Sequence, residues 1–423
     1  MKKLISYWYV PAFLLLTGII FVQQRTFLST KHYYEYLFEK PRYSFWPATT
    51  FQKPQDLNAA ASPSDIVMFR GNPARQGWIQ GSLGQQYQLE WSYPFFNSGA
   101  HNAAKGSPVA DDDGIYIGSD MGWFYHFGWD GKLKWKIFHE TALKGIHGTP
   151  TIDGDFLFYG DYSGYLLAVN KKTGEVLWTR HLGDTLGASP LVLGDVIYAN
   201  IEMNPSEGYI AKIDKYSGEL LFKSRLLGEQ SHSSPAYDET YQYLIFGANN
   251  SVLFSVDTDK GETPWFFQAP GQIKSTPVIY EGQSYYTDWG KRFSSNDNKT
   301  GNAVFSQPIK TMAINSPALS KNGLVVADRE NLYLFSFKGE LLKEVPLRNT
   351  FFLGSPLIVR DSGKESILIA CNNTDLCVID DSLKNEKVLF KGERKFSSVP
   401  FVFKDRIIFS QDDGDLVVLK KSK

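Results

Sequence analysis

The chain has 423 residues, of which 43% are hydrophobic and 15% aromatic, and its formal net charge is −1. A near-neutral chain without a basic stripe argues against a nucleic-acid partner. Its two cysteines, Cys371 and Cys377, are too few for a disulfide framework to hold the fold.

Residues 1–25 predict a membrane-targeting segment. Lys2 and Lys3 precede 19 mostly apolar residues, LISYWYVPAFLLLTGIIFV, which suits either a signal anchor or a signal peptide. Because no small-x-small cleavage pattern follows, we expect an uncleaved transmembrane helix, with a soluble periplasmic protein after cleavage as the alternative. The two lysines would stay cytoplasmic, which puts the rest of the chain on the periplasmic side of the inner membrane.

Residues 26–65 have the composition of a linker, in which Lys31–Lys40 could form a short amphipathic helix. Ile66–Gly81, IVMFRGNPARQGWIQG, follows as a predicted lid on the remainder of the chain. We expect Arg70 or Arg75 to form a salt bridge and Trp78 to pack on the outer part of the fold.

One turn motif recurs through residues 66–423. In its clearest copy Asn170 can accept the turn N–H groups, Gly174 can adopt a positive φ, and Trp178 can lie between neighbouring repeats. We assign these aromatic residues to structural docking. The other copies place the docking ring at Trp91, Trp135, Phe222, Trp265 and Phe305.

A proline marker gives the number of repeats. Seven Ser-Pro or Thr-Pro pairs and one Val-Pro pair recur 39 to 45 residues apart, a period typical of propeller blades with four short strands. A strand facing a central channel tolerates a missing N–H, so we place the markers on the innermost strand of each blade. They stand at Pro108, Pro150, Pro190, Pro235, Pro277, Pro317, Pro356 and Pro400.

Two partial repeats complete each other. Leu89–Phe95 matches the outermost strands of the other repeats, whereas Val399–Leu419 supplies only three strands. We expect the first segment to complete the last blade and close the ring, which removes free sheet edges. The predicted fold is therefore an all-β, eight-bladed propeller with four-stranded antiparallel blades.

Two repeats depart from the pattern. NIEMNPSEG lengthens the hairpin between Ala199 and Tyr209, which makes it a candidate contact for a partner. Asp380 lacks the glycine four residues later, so its turn must be built differently.

Cys371 and Cys377 fall in one predicted hairpin, Ser366–Asp380. A loop at Asn372–Asp375 would point them to opposite faces, whereas a bulged loop would put them on one face. Two packed thiols are the expected state, and a disulfide is the alternative.

The residues three positions before the markers should line one mouth of the channel. They include Lys105, His147, His232 and Lys274, with Asn315 one step away. A solvated rim without a specific role is the expected interpretation, and a cationic mouth for a small anion or an acidic partner loop is the alternative. We expect no metal there, since the two histidines lack a third ligand. No nucleophile, metalloprotease, P-loop or dinucleotide motif stands in a suitable context, so no catalytic residue is assigned.

The segment Ala168–Trp178, AVNKKTGEVLW, closely resembles the tryptophan-docking motif of quinoprotein (PQQ-repeat) propellers. That family contains quinone-dependent alcohol and sugar dehydrogenases as well as non-enzymatic scaffolds of outer-membrane assembly. The chain lacks the adjacent cysteines, the long insertions between blades and the calcium-ligand pattern of the dehydrogenases. The resemblance therefore implies the scaffold class more than the enzymes.

We expect a non-catalytic, monomeric, exported propeller without a cofactor, which binds a protein partner in the cell envelope and serves membrane-protein assembly. One alternative is a PQQ- and calcium-dependent dehydrogenase whose channel lysines face the cofactor's carboxylates. A second alternative is a sensor that binds a small anion at the channel mouth.

Overall fold

The computed structural model describes residues 57–94, 106–139, 145–203, 207–225, 227, 233–349, 354–396, 398–411 and 415–422. All of them fall in the unit Tyr43–Lys423. The predicted membrane segment at 1–25 and the short helix at 31–40 lie outside the described residues. Within the described residues, no helix is long and apolar enough to cross a bilayer.

One 3₁₀ turn, Pro63–Asp65, precedes a succession of short strands. The first seventeen are β1 (Trp78–Gln80), β2 (Tyr87–Tyr93), β3 (Val109–Asp111), β4 (Gly114–Gly118), β5 (Trp123–Phe127), β6 (Leu133–Phe138), β7 (Thr151–Asp153), β8 (Phe156–Gly160), β9 (Tyr165–Asn170), β10 (Val176–His181), β11 (Leu191–Leu193), β12 (Val196–Met203), β13 (Glu207–Asp214), β14 (Leu220–Lys223), β15 (Ala236–Asp238), β16 (Tyr243–Gly247) and β17 (Val252–Asp257). The others are β18 (Phe266–Gln268), β19 (Val278–Tyr280), β20 (Gln283–Asp288), β21 (Arg292–Asp297), β22 (Ala303–Pro308), β23 (Ala318–Ser320), β24 (Gly323–Ala327), β25 (Asn331–Phe335), β26 (Leu341–Pro346), β27 (Leu357–Asp361), β28 (Lys364–Cys371), β29 (Asp375–Asp380), β30 (Glu386–Phe390), β31 (Phe401–Phe403), β32 (Arg406–Ser410) and β33 (Leu416–Lys421).

These strands form eight sheets, which confirms the predicted eight blades. Blades 1 to 7 each use four consecutive strands, beginning with β3, β7, β11, β15, β19, β23 and β27, and β1 adds a parallel fifth strand to blade 7. The first strands of several neighbouring blades contact one another: β7 and β11, β15 and β19, β19 and β23, β23 and β27, and finally β3 and β31. The ring is therefore closed, and the first strand of each blade is the innermost.

Blade 8 confirms the predicted closure. Its order is β2-β33-β32-β31, so a strand from the beginning of the repeat region completes the three strands at its end. Trp91 pairs with Val418 in this antiparallel register. Arg406 adds a two-pronged ion pair to Glu90, with N–O distances of 2.6 and 2.8 Å.

The core lies between the faces of adjacent blades. The second strands of blades 1 and 2, β4 and β8, are buried along their whole length on both faces. A strand packed on both sides needs apolar residues at nearly every position, and this explains the unbroken runs GIYIG and FLFYG.

Each docking ring lies under the turn of the next blade. Trp178 is buried, and a methyl group on Gly218 would come within 2.7 Å of its ring. Its indole N–H donates to the Lys215 carbonyl oxygen at 3.0 Å. Trp135 repeats the arrangement with the turn at Gly174.

The Ser/Thr-Pro markers connect the blades around the channel. Each proline directly precedes an innermost strand, as predicted. Seven of the eight residues that precede these prolines donate their backbone N–H to the hydroxyl of their counterpart in the next blade, at 2.9–3.0 Å; the exception is Ser355, whose counterpart has no hydroxyl. We call this circuit the hydroxyl ring; its members are Ser107, Thr149, Ser189, Ser234, Thr276, Ser316, Ser355 and, without a hydroxyl, Val399.

Ile66–Gly81, the leader, bonds to innermost strands of several blades. Val67 bridges to Ile152 of blade 2, and leader carbonyls accept N–H groups from blades 4, 5, 6 and 7. Trp78 stands beside β27, with the Arg360 guanidinium 4.2 Å from its ring centroid. The expectation that Trp78 packs on the outer part of the blades is therefore wrong.

The two leader arginines bind main-chain oxygens rather than a carboxylate, so the predicted salt bridge is also wrong. Arg70 donates to the carbonyls of Pro317 and Pro356, the latter at 2.8 Å. Arg75 donates to those of Pro190 and Pro235 at 3.1 and 3.0 Å. Burial lowers the pKa of both side chains to about 9, which leaves them charged at neutral pH.

Cys371 and Cys377 form a disulfide, so the expectation of two packed thiols is wrong. The register pairs Cys371 with Asp375 and Cys377 with Ile369, which makes the cysteines diagonal neighbours on one face. Asn372 and Asn373 adopt positive φ values of 51° and 69° in the loop between them.

The lengthened hairpin of blade 3 is present as predicted. β12 and β13 have eight residues each, against five in β4 and β5 of blade 1. A bridge between Thr185 and Glu202 ties the tip end of this hairpin to the preceding loop.

Candidate functional site at the channel mouth

The channel mouth is formed where the second strand of each blade ends and the loop into the next blade returns. His147 lies on the loop before β7, and its Nε2 is 3.0 Å from the Asp120 carboxylate of blade 1. Its ring also contacts that of Tyr162, with centroids 4.2 Å apart. Both members of the His147–Asp120 pair are buried, so this predicted mouth residue joins blades 1 and 2 instead of lying on a solvated rim.

Lys274 approaches the mouth from the loop before β19. Its ammonium lies 4.3 Å from the ring centroid of Trp289, a cation–π arrangement. Burial lowers the pKa of Lys274, and the negative charge of Glu202 opposes that shift. Trp289 is 36% exposed, so this aromatic face is open to the mouth.

Glu202 connects the two sides of the mouth electrostatically. It is 2% exposed, and its charge acts on both Lys274 and Tyr162. Burial is the main reason that the pKa of Tyr162 is raised, and Glu202 and Asp120 raise it further. The mouth therefore contains acidic groups as well as basic ones.

Asp288 precedes Trp289 and is buried. One carboxylate oxygen accepts the Arg292 backbone N–H at 3.2 Å. Burial raises the pKa of Asp288 to about 6, because the charged form is poorly solvated there.

The other predicted mouth residues divide into two groups. Asn315 is buried between blades 5 and 6, where its main-chain carbonyl accepts the Thr287 hydroxyl at 2.8 Å. Lys105 and His232 lie outside the described residues. The structure thus brings His147 and Lys274 to the same mouth. The charge of Glu202 acts on Lys274 and on Tyr162, the ring that contacts His147.

Sequence reasoning missed Asp120, Glu202 and Trp289, although a signal for them exists. Each stands twelve residues after its proline marker, as Tyr162 does. The same offset in four blades places these side chains at equivalent points of the ring.

The described residues do not offer a calcium site at this mouth. Calcium takes about six to eight oxygen ligands. Within the described part of the chain, the one three-residue group with metal-ligand spacing is Cys371, Cys377 and Glu386, and its two sulfur atoms are bonded to each other.

Comparison with known proteins places this arrangement among quinoprotein-like propellers. A family model described as "Outer membrane protein assembly factor BamB" matches residues 128–205 and 206–422. The outer membrane protein assembly factor BamB of Moranella endobia is 26% identical over 234 residues, which cover 52% of this chain and 58% of that protein. The tetrathionate hydrolase of Acidithiobacillus ferrooxidans is 26% identical over 233 residues, covering 47% of this chain and 45% of the hydrolase.

The two matches thus span about half the length of those relatives. Among solved structures, a europium-containing methanol dehydrogenase superposes with a TM-score of 0.68 at 12% identity, covering 85% of this chain and 98% of the enzyme. That likeness shows a shared fold and does not separate an enzyme from a scaffold.

Proposed function

The chain belongs to the PQQ-repeat propeller family described as outer membrane protein assembly factor BamB, and from this premise we propose that it is a non-catalytic scaffold of the cell envelope. Its role is to bind a protein partner during membrane-protein assembly. It acts as a monomeric propeller and needs no cofactor.

The observation that carries this proposal is the pairing of charges at the mouth. His147 Nε2 lies 3.0 Å from the Asp120 carboxylate, and the negative charge of Glu202 acts on Lys274, so the protein's own carboxylates accompany the basic side chains of the mouth. A chamber for an anionic redox cofactor and its metal would instead need charges directed toward the ligand.

The partner surface that we propose is the long hairpin of blade 3. Its strands β12 and β13 are longer than those of the corresponding hairpin in blade 1, and Thr185 bridges to Glu202 near its tip. A loop on a rigid frame is well suited to recognition, because the frame lowers the cost of ordering it on binding.

We place the propeller on the exported side of the inner membrane, held by residues 1–25. The Cys371–Cys377 disulfide supports this location, because such bonds persist in the periplasm and are rare in the cytosol.

Site-specific photocrosslinking in intact cells tests the proposal. A crosslinking amino acid at Met203, beside the hairpin tip, should capture a component of the outer-membrane assembly machinery. The same group at Lys299, an exposed turn residue at the opposite end of the ring, is the matched control. Equal capture from both positions, or capture of no assembly component at Met203, would refute the scaffold role.

A dye-reduction assay tests the dehydrogenase alternative. The described mouth residues do not fit calcium, so we derive no catalytic step through a quinone. Purified protein incubated with PQQ and Ca²⁺ should give no turnover with alcohols or sugars. Turnover at about 1 s⁻¹ or more, an ordinary enzyme rate, would end the non-catalytic proposal.

A small-anion sensor is the second candidate, and the half-buried ammonium of Lys274 beside the open ring of Trp289 favours it. One relative is a hydrolase of the anion tetrathionate. Calorimetry with tetrathionate should show binding that is lost when Lys274→Ala is combined with His147→Ala. Unchanged affinity in the double variant would reject the sensor.

A further inference from the structure

We propose that a groove beside the leader binds an aromatic carboxylate. The groove lies at the end of the ring opposite the mouth, between the leader and the inner strands of blades 5, 6 and 7, and its volume is about 520 Å³. Pockets of roughly 300–1,000 Å³ accept small ligands. This site is separate from the channel mouth and does not depend on the scaffold role.

One wall of the groove is aromatic. Tyr280 ends β19 of blade 5, and Phe337 stands in the turn after β25 of blade 6. Their centroids are 4.9 Å apart and their planes are inclined by 32°. Both residues are only partly buried, so a third ring can pack against them in an offset or edge-on arrangement.

A second part of the wall is cationic. Lys321, Arg360 and Lys364 line it together with one carboxylate, Glu365. That carboxylate is already engaged: it accepts from Arg360 Nε at 2.8 Å and from the Ser320 hydroxyl at 2.6 Å. The charge left on this wall is therefore positive.

Arg360 is held ready to bind an anion. Its guanidinium is fixed by Glu365, by the Leu319 carbonyl oxygen at 2.9 Å and by the ring of Trp78. The remaining nitrogen, Nη1, makes no hydrogen bond within the described part of the chain. A donor that is fixed before binding loses little conformational entropy when the ligand arrives.

Lys364 supplies a second positive charge. Its side chain is exposed at the start of β28, and its charge also acts on the Asp361 carboxylate across the hairpin. Lys321 is partly neutralised by Asp381 at 2.7 Å. A carboxylate placed between Arg360 and Lys364 would leave its aromatic ring facing Tyr280 and Phe337.

The same chemistry occurs in a free aromatic acid and at the C-terminus of a peptide that ends in an aromatic residue. The matched probes are N-acetylphenylalanine, its neutral amide and an alanine pentapeptide ending in phenylalanine. Calorimetry with the full chain should show saturable binding of the acid, and about tenfold weaker binding of the amide, which lacks the charge-assisted hydrogen bonds. Binding of the pentapeptide as tight as that of the acid identifies a peptide terminus as the source, and weaker binding identifies a free acid.

Two variants and one control localise the binding. Phe337→Ala should weaken it about fivefold, because one aromatic contact is lost. Lys364→Gln should weaken it about threefold through loss of an exposed ion pair, and this exposed substitution leaves the fold intact. Lys338→Gln, in the same turn as Phe337 but outside the groove lining, should change nothing. The proposal fails if the amide binds as tightly as the acid, or if both groove variants bind like the unmodified chain.

Discussion

The hydroxyl ring has a single gap, and filling it should stabilise the protein. Val399 occupies the eighth position and donates its N–H to Ser107 Oγ at 3.0 Å, but it has no hydroxyl to accept in turn. Ser355, its neighbour in blade 7, is 8% exposed, and its backbone N–H has no hydrogen-bond partner among the described residues. Val399→Thr would add the missing acceptor with almost no change of volume.

The expected gain is one hydrogen bond to a buried and otherwise unpaired donor, about 1 kcal/mol in the free energy of unfolding. Thr276→Val is the mirror experiment, since it removes the acceptor for the Ser234 N–H at 3.0 Å and should cost about 1–3 kcal/mol. Val402→Thr is the control, because it makes the same substitution at a buried position of β31 outside the hydroxyl ring. Its new hydroxyl is buried without that acceptor role, so this variant should be less stable than the parent protein.

Urea denaturation followed by tryptophan fluorescence measures all three variants, and an unchanged slope with denaturant would confirm that only stability has moved. A Val399→Thr protein no more stable than the parent, together with a harmless Thr276→Val, would refute the claim that the circuit holds the inner strands together.

Three further predictions concern other parts of the fold. Trp178→Ala should lower the free energy of unfolding by about 4 kcal/mol, because it empties a buried site, whereas Phe266→Ala, at a ring that is 64% exposed, should change it by no more than about 0.5 kcal/mol. Calorimetric melting of the two variants measures the difference, and equal losses of stability would contradict the docking role of Trp178. The folded-state pKa of Asp288 is raised to about 6, so its ionisation lowers the stability of the folded protein at neutral pH. Asp288→Asn should therefore stabilise the protein at pH 7, and this gain should vanish as the pH falls toward 4. A difference in the free energy of unfolding between variant and parent that stays constant from pH 7 to pH 4 would contradict the raised pKa. Replacing both cysteines by serine should lower the free energy of unfolding by about 2 kcal/mol, because the disulfide no longer closes its short loop in the unfolded chain. A reductant should lower the stability of the parent chain by the same amount, and no response to either change would contradict the disulfide.

Periodicity was sufficient to predict the architecture. The spacing of the prolines gave eight blades, and the isolated copy around Trp91 gave the closing strand, because each feature repeats a pattern seen several times elsewhere in the chain. The long hairpin at Ala199–Tyr209 was predicted for the opposite reason, as an interruption of an otherwise constant period.

The site was less predictable because its contacts join different blades. His147 and Lys274 could be placed at the mouth from their offset to the prolines, but their acidic neighbours Asp120 and Glu202 belong to another repeat position. Only the three-dimensional ring shows that the two sets of residues meet. The cysteine pair was missed for a local reason, since a one-residue difference in loop register decides whether the two side chains share a face.

The two leader arginines and the proline markers act together, since the arginines donate hydrogen bonds to the carbonyl oxygens of the marker prolines. A proline on the innermost strand removes an N–H, but its carbonyl oxygen still points into the channel and needs a donor. Arg70 and Arg75 supply such donors to markers in blades 3, 4, 6 and 7, and these contacts fix the leader across one end of the ring. The salt bridge expected from the sequence was wrong because it considered only charged partners for the arginines, although the chain repeats the required acceptors at every blade. The two ends of the propeller therefore differ: the leader crosses the end at which the groove with Arg360 lies, and the mouth with His147 and Lys274 is at the other end.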